Sequence, residues 1–425
     1  MSDRATDHER VILVHVYFHA DNMAEDLNEF KELALSAGAY VAEVVTATRD
    51  KPDVKYFVGT GKAEELAQLV KAFNVDLVIF NHVLTPAQER NLERLLHCRV
   101  LDRTGLILDI FAQRARTFEG KLQVELALLT HLSTRLIRGW THLERQRGGI
   151  GLRGGPGETQ LEVDRRLIRH RIKAIHARLE RVRSQREQSR RARRRATIPT
   201  IALVGYTNAG KSTLFNRLSG SDVYVANQLF ATLDPTFRRI DTKETGPFII
   251  ADTVGFIRHL PHDLVMAFHA TLQEVTEADL LLHMIDAHDE EREAHKTEVE
   301  AVLKLIQADQ VPCIEVYNKI DLFNQQDIGQ VTPRIDYDEW GKVKRVYMSA
   351  GTGLGIDKLL QAISKSLHQD RVMRELILLP KEGKLRALFY ERQAVLTESI
   401  DEAGHFHLTI FMNPNELAAM LKMRI

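Results

Sequence analysis

Cysteine and tryptophan each occur only twice in the 425 residues, and long apolar runs are missing. Cys98 and Cys313 lie far apart and offer neither a disulfide framework nor a metal-ligand spacing. Both read as small buried hydrophobes in a reducing compartment. Apolar stretches such as residues 280–285 fall far short of the roughly 20 residues a membrane-spanning helix needs. The first ten residues are polar and mixed in charge, with no apolar segment of a secretory leader. These absences exclude a disulfide-stapled secreted module and a helical membrane protein. A cytoplasmic monomer is expected.

Net charge is missing too, at a formal value of zero, but the balance hides an asymmetry. Residues 135–195 carry 19 Lys/Arg against 6 Asp/Glu, so this arm holds +13 and the remainder −13. One strongly basic arm on a neutral chain points to a polyanionic partner, where evenly mixed charge would not. The length and an ordinary composition, 44% hydrophobic and 27% charged, suggest about two to four domains.

Patterning divides the chain into four units. In residues 1–113, strands at 11–18, 41–46 and 77–80 alternate with helices at 25–36, 62–73 and 86–97, as in a small α/β layer. Residues 114–197 read as a basic helical hairpin. Its first helix continues a helical spacing that begins at Leu106, with Leu122, Leu126, Leu129, Leu132 and Leu136 on one face. The second carries Leu161, Leu167, Ile168, Ile172, Ile175, Leu179 and Val182, then fades into Arg190–Arg195. Between them, six glycines and Pro156 within residues 148–157 form a loop, since Gly costs about 1 kcal/mol and Pro about 3 kcal/mol in a helix interior. Residues 198–369 alternate strands at 201–204, 248–251, 280–285, 313–317 and 345–348 with helices, as in a doubly wound sheet. Residues 370–425 read as a small α+β unit with a hairpin around Asp401–Gly404 and a last helix opened by Asn413 or Asn415. The fold class is α/β.

The strongest chemical signal is Gly205, Tyr206, Thr207, Asn208, Ala209, Gly210, Lys211 and Ser212, which satisfies G-x-x-x-x-G-K-[ST] between a strand and a helix-compatible run. Glycines let backbone N–H groups converge on phosphate oxygens at a helix N-terminus. Lys211 then reaches the β- and γ-phosphates, and the Ser212 hydroxyl suits Mg²⁺. Asp252, Thr253, Val254 and Gly255 follow a second strand, with Asp252 set to hold the metal through water and Gly255 to offer an N–H to the γ-phosphate. Asn318, Lys319, Ile320 and Asp321 follow a third strand. A carboxylate at Asp321 accepts two hydrogen bonds from guanine, which adenine cannot donate, so the nucleotide is GTP or GDP. Ser349 and Ala350 follow a fourth strand and close the base pocket.

In these motifs the chain resembles the translation-factor-like superclass of P-loop GTPases. Within Phe230, Ala231, Thr232, Leu233, Asp234, Pro235 and Thr236, the resemblance favours Thr232 as the second Mg²⁺ ligand, with Thr236 as the alternative. Lys211, Thr232 and Gly255 are the expected catalytic residues. Phe256 stands where Ras-like GTPases carry a water-positioning glutamine, and Phe has no group to orient water. GTPases with a similar loop use an asparagine at the position of Asn208 to help seat K⁺; the plainer reading is an asparagine that tolerates left-handed backbone.

Residues 147–166, RGGIGLRGGPGETQLEVDRR, closely resemble the signature of the HflX family of GTPases. That resemblance covers nearly the whole chain and implies binding to the large ribosomal subunit and its rRNA. It also implies GTP-dependent splitting of stalled or stress-arrested ribosomes. Ribosome assembly, RNA modification, or RNA remodelling with a regulatory nucleotide site would use the same parts. Arg153, Arg165, Arg166, Arg169 and Arg190–Arg195 are the expected RNA contacts, against a merely solvated helix face. Gly59-Thr60-Gly61-Lys62 fails the P-loop pattern at both ends and reads as a plain turn; the resemblance allows a second nucleotide site there. His405 and His407 share a strand face without an evident third ligand, so a metal is not expected.

Overall fold

The structure is a computed structural model. It describes residues 9–18, 25–139, 160–195, 198–220, 229–242, 245–258, 269–323, 332–368, 372–392, 394–401, 403–412 and 414–421. The N-terminal unit runs β1 (Arg10–Tyr17), α1 (Glu25–Ser36), β2 (Tyr40–Thr48), α2 (Thr60–Phe73), β3 (Leu77–Phe80), α3 (Pro86–Leu96), β4 (Arg99–Leu101) and α4 (Arg103–Arg114). Its four strands are parallel in the order β2-β1-β3-β4. The period of two along β1 decides the layers. Val11 and Leu13 face a core with Phe30 and Leu33 of α1 and Ile107 and Phe111 of α4. Ile12, Val14 and Val16 face the opposite core with Leu66 of α2 and Leu92 of α3. The three-residue β4 is too short to announce itself in sequence. Asp102 then caps α4 by accepting from the Gly105 N–H at 2.8 Å, so α4 is a helix separate from the hairpin. At the N-terminus of α2, Gly59 takes φ +89°, and a Cβ there would overlap the Arg49 guanidinium.

The basic unit comprises α5 (Phe118–Gly139) and α6 (Gln160–Arg195). They pack through Leu122, Leu126 and Ile175, with Leu129, Ile172 and Leu179 at the margin. Leu132 and Leu167 are 47% and 59% exposed, so the buried seam is shorter than the periodicity implies. The glycine-rich loop, including Arg153, lies outside the described residues, as do the side chains of Arg190–Arg195. Arg135 ties α5 to the N-terminal unit: its guanidinium donates to Asp102 at 2.7 Å and pairs with Glu89. Burial pulls the Arg135 pKa down and pushes the Asp102 pKa up, so each charge depends on the other.

The third unit is a seven-stranded sheet in the order β10-β11-β9-β8-β5-β7-β6. Its members are β5 (Thr200–Gly205), β6 (Thr236–Thr242), β7 (Gly246–Asp252), β8 (Leu280–Asp286), β9 (Cys313–Asn318), β10 (Arg334–Tyr337) and β11 (Val343–Tyr347). The five inner strands are parallel, while edge strands β6 and β10 pair antiparallel. Helices α7 (Lys211–Ser219) and α10 (Ile356–His368) contribute Leu214, Phe215, Leu359 and Ile363 to one face. Leu272 and Val275 of α8 (His269–Thr276) and Val299 and Leu303 of α9 (Arg292–Leu305) cover the other. The last unit packs α11 (Gly383–Glu391) and α12 (Pro414–Leu421) on the sheet β12 (Val372–Leu378), β14 (Phe406–Met412) and β13 (Val395–Ile400), which is antiparallel in that order. Both histidines singled out above meet the Asp401 carboxylate, at 2.9 Å for His405 and 3.2 Å for His407.

Removing Arg135 leaves the Asp102 carboxylate buried without its countercharge. Arg135→Met is expected to cost about 3–5 kcal/mol in chemical denaturation followed by circular dichroism. A loss below about 1 kcal/mol would show that the pair does not anchor the arm.

Candidate nucleotide site

β5 runs into the phosphate loop at the carboxyl edge of the sheet, where its neighbours β7 and β8 lie on opposite sides. Gly210 takes φ +95°, and a Cβ there would overlap the Asn318 amide; only glycine meets both demands. Lys211 opens α7 and is buried, its ammonium donating to the carbonyls of Gly205 at 3.0 Å and Tyr206 at 2.6 Å. Burial lowers its pKa to about 8, with Asp252 pulling the other way. A cavity of about 410 Å³ opens over this loop. Thr207, Asn208, Gly210, Lys211, Ser212, Ala231, Thr232, Thr253 and Gly255 line its phosphate end, and Asn318, Lys319 and Asp321 its far end.

Three oxygens converge at one corner. The Ser212 hydroxyl donates to Asp252 Oδ2 at 2.7 Å, Thr232 Oγ1 donates to the same atom at 2.9 Å, and the two hydroxyls stand 3.0 Å apart. Among the described residues Asp252 Oδ1 is buried without a hydrogen-bond partner, and burial raises the Asp252 pKa. A buried carboxylate with an unpaired oxygen beside two hydroxyls is a hard-oxygen corner that suits Mg²⁺. Thr232 is the residue brought there, whereas Thr236 begins β6.

At the far end, Asn318 ties two loops together: its amide donates to the Ala209 carbonyl at 2.8 Å and accepts from the Ala350 N–H at 2.8 Å. Lys319 adopts φ +64° and pairs with Asp286 at 2.6 Å, leaving Asp321 exposed at the cavity mouth. Because the Ala350 N–H is engaged and Ser349 is fully buried, Gly351 is the member of that loop that meets the cavity. Sequence reasoning missed Arg217 of α7, whose guanidinium donates to the carbonyls of Ala350, at 2.9 Å, and Gly351. Nothing in the spacing marks it.

Several motif residues face away from the cavity. Leu233 and Val254 are buried in the core of the N-terminal unit beside Leu229, Phe230 and Ile257. The Tyr206 hydroxyl donates to Glu29 of α1 and accepts from the Arg258 N–H at 2.8 Å. Arg103 of α4, itself buried, donates to Glu29, to Asn81 at 2.6 Å and to the Arg258 carbonyl at 2.9 Å. Ala209 is buried in the sheet core with Leu214 and Phe215, and Ile320 in a small core with Ile285 and Tyr317. The Asp234 carboxylate points to the start of α5. Phe256 is buried with Leu272 and Val275, its main chain pairing with Gly205 and Thr207. Phe230 lines the cavity, packs edge-on against Phe111 at 4.7 Å, and holds φ +55°. For a bulky side chain that backbone costs about 1–3 kcal/mol and marks a constrained site.

Residues 24–112 match the family profile described as GTP-binding GTPase N-terminal, and residues 114–193 that of its Middle Region. Residues 200–319 match the profile described as 50S ribosome-binding GTPase. A protein named GTPase HflX from Escherichia coli (strain K12) is 58% identical over 412 residues, covering 97% of this chain and 95% of that relative. The chain belongs to the HflX family of GTPases. An HflX GTPase from Magnetococcus marinus is 45% identical, covering 87% of this chain and 84% of its own. The crystal structure of an SsGBP and GDP complex aligns with 85% of this chain and 99% of its own at 24% identity and a TM-score of 0.49. As an HflX family member with a P-loop site, the chain is a GTP hydrolase.

With its pKa near 8, Lys211 is largely neutral at about pH 9 in the free site, and phosphates beside it restore the ammonium. Nucleotide binding therefore takes up close to one proton at about pH 9 and little at pH 7. Calorimetry in buffers of different ionisation enthalpy measures this, and zero uptake at the higher pH would contradict the burial argument.

Proposed function

We propose that this GTPase engages the large ribosomal subunit and its rRNA in the GTP state, lets go after hydrolysis, and thereby splits stalled or stress-arrested ribosomes. The observation that carries this reading is a shared core. Leu229, Phe230, Leu233, Val254 and Ile257, which flank the γ-phosphate end of the site, pack with Phe111 and Ile107 of the N-terminal unit. That unit is the base on which the basic α5–α6 arm is mounted through Arg135. A change at the γ-phosphate then alters the support of the arm that neutralises RNA phosphates. The name of the profile matched by residues 200–319 supports a ribosomal partner. No described helix is long and apolar enough to cross a membrane.

In the chemistry we infer, Lys211 and the phosphate-loop N–H groups hold the β- and γ-phosphates, and Asp321 selects guanine. Ser212 and Thr232 would hold Mg²⁺ directly, with Asp252 acting through water. Bound Mg²⁺ supplies charge neutralisation on the phosphate oxygens. Gly255 offers its N–H to the γ-phosphate; its position is crowded, since a Cβ would come within 2.8 Å of Thr207 and 3.1 Å of the Lys211 ammonium. Phe256 is turned into the core and orients no water, so the ribosome-bound state completes the hydrolytic site. We extend the reading to K⁺ at Asn208, a residue of the cavity lining whose amide here donates to Glu32 of α1 at 3.4 Å. Its φ of +60° also accounts for asparagine without a cation, and the experiment below separates the two.

Cosedimentation with isolated large subunits is expected to be strong with a non-hydrolysable GTP analogue and weak with GDP, and Lys211→Ala is expected to erase the difference. Equal binding in both states would contradict the switch and favour an RNA-binding module. Exchanging K⁺ for Na⁺ is expected to slow GTP turnover at least several-fold; unchanged turnover would remove K⁺ from the account.

A further inference from the structure

We propose that the first turn of α5 is a positioning element for GTP hydrolysis: Thr117 and Gly120 seat Asp234, which holds Thr232 at the metal corner. Nucleotide state and order at the root of the arm are then one equilibrium. The proposal rests on the reading of Ser212, Thr232 and Asp252 as the Mg²⁺ corner.

Asp234 Oδ2 accepts from the backbone N–H groups of Arg116 and Thr117, both at 2.9 Å, and Oδ1 accepts from the Thr117 hydroxyl at 2.5 Å. The Thr117 hydroxyl in turn accepts from the Gly120 N–H at 2.9 Å, so it caps α5 while holding Asp234. A carboxylate at this end also meets the positive pole of a 22-residue helix. The contact joins residues 117 positions apart. Gly120 makes room for it: a Cβ there would overlap Asp234 Oδ1 and reach Cγ at 3.0 Å. In a helix, alanine is otherwise the better residue by about 1 kcal/mol.

On the other side of Thr232, Phe230 is locked against Phe111, and the Leu229 N–H donates to the Ser36 hydroxyl at 3.0 Å. Thr232 therefore sits between Phe230 and Asp234, each two residues away and each held by partners outside the nucleotide-binding unit. Two residues of extended chain span only about 7 Å, so a displacement of the Thr232 backbone beyond that distance strains an anchor. Coupling of this kind is reciprocal: if the seat of Asp234 strengthens binding of the triphosphate state, the triphosphate strengthens the seat by the same factor.

Hydrogen exchange of the full-length protein, read on peptides covering residues 114–122, tests this with Mg²⁺ and either GDP or a non-hydrolysable GTP analogue. The wild type is expected to exchange the Arg116 and Thr117 amides about 5- to 150-fold more slowly with the analogue. Gly120→Ala, which keeps the helix by propensity, is expected to abolish that ratio and to weaken analogue affinity by the same factor while leaving GDP affinity unchanged. Thr117→Val is expected to do likewise and Thr117→Ser to restore the wild-type behaviour, which a general loss of fold would not. Identical wild-type exchange in both states, or a Gly120→Ala protein that keeps the wild-type ratio, would overturn the proposal. Because this readout uses free protein, it is independent of ribosome binding, whose failure would instead strike the proposed function.

Discussion

Phe230 belongs to two places at once. The residue lines the nucleotide cavity, while its ring is buried against Phe111 in the core of the N-terminal unit. Its left-handed backbone is costly, and the burial of the ring offsets that cost: full burial of Phe contributes about 1.5–3 kcal/mol, and the aromatic pair about 0.5–1.5 kcal/mol more. A loop held in this way has one seated geometry rather than a continuum. Packed cores respond to a changed neighbour by switching arrangement, because they are too dense to deform gradually.

A polar network borders the same contact. Arg103 reaches Asn81, Glu29 and the Arg258 carbonyl, while Glu29 also receives the Tyr206 hydroxyl, so the phosphate loop and the segment after Phe256 are registered against one buried guanidinium. Such buried pairs recover little net stability after desolvation. Their geometric demands are strict, which suits a joint that must report small movements. The apolar contact at Phe230 thus gives the interface its strength, and the network around Arg103 gives it register.

The phosphate loop was legible in sequence because phosphate binding dictates backbone geometry, and geometry dictates where glycine must stand. Gly210 shows this directly, with positive φ and no room for a Cβ beside Asn318. Ser212 at the start of α7 and Asp252 at the end of β7 were legible from element ends, while Thr232, in the loop before β6, was legible only through the family resemblance; the three meet within 3.0 Å. Side-chain direction was not legible. Leu233 and Asp234 adjoin Thr232 in sequence, yet both turn toward the N-terminal unit and α5, and Tyr206 turns to Glu29. Motif adjacency says nothing about which neighbour a second unit captures. Strand β4, at three residues, lies below the length at which alternation can be read, and β10, at four, stands at its lower limit without the apolar run that marks the equally short β3. Along the arm, helical spacing identified apolar faces without revealing where their partner ends, as exposed Leu132 and Leu167 show.

The central claim is that the contact between Phe111 and Phe230 takes part in telling GTP from GDP. A double-mutant cycle with Phe111→Leu and Phe230→Leu, read on the ratio of GTP-analogue to GDP affinity, tests it most directly. The account predicts that each single variant lowers the ratio and that the double variant lowers it little further, a coupling of about 0.5–1.5 kcal/mol. Strictly additive effects, or a ratio untouched by Phe111→Leu, would contradict it.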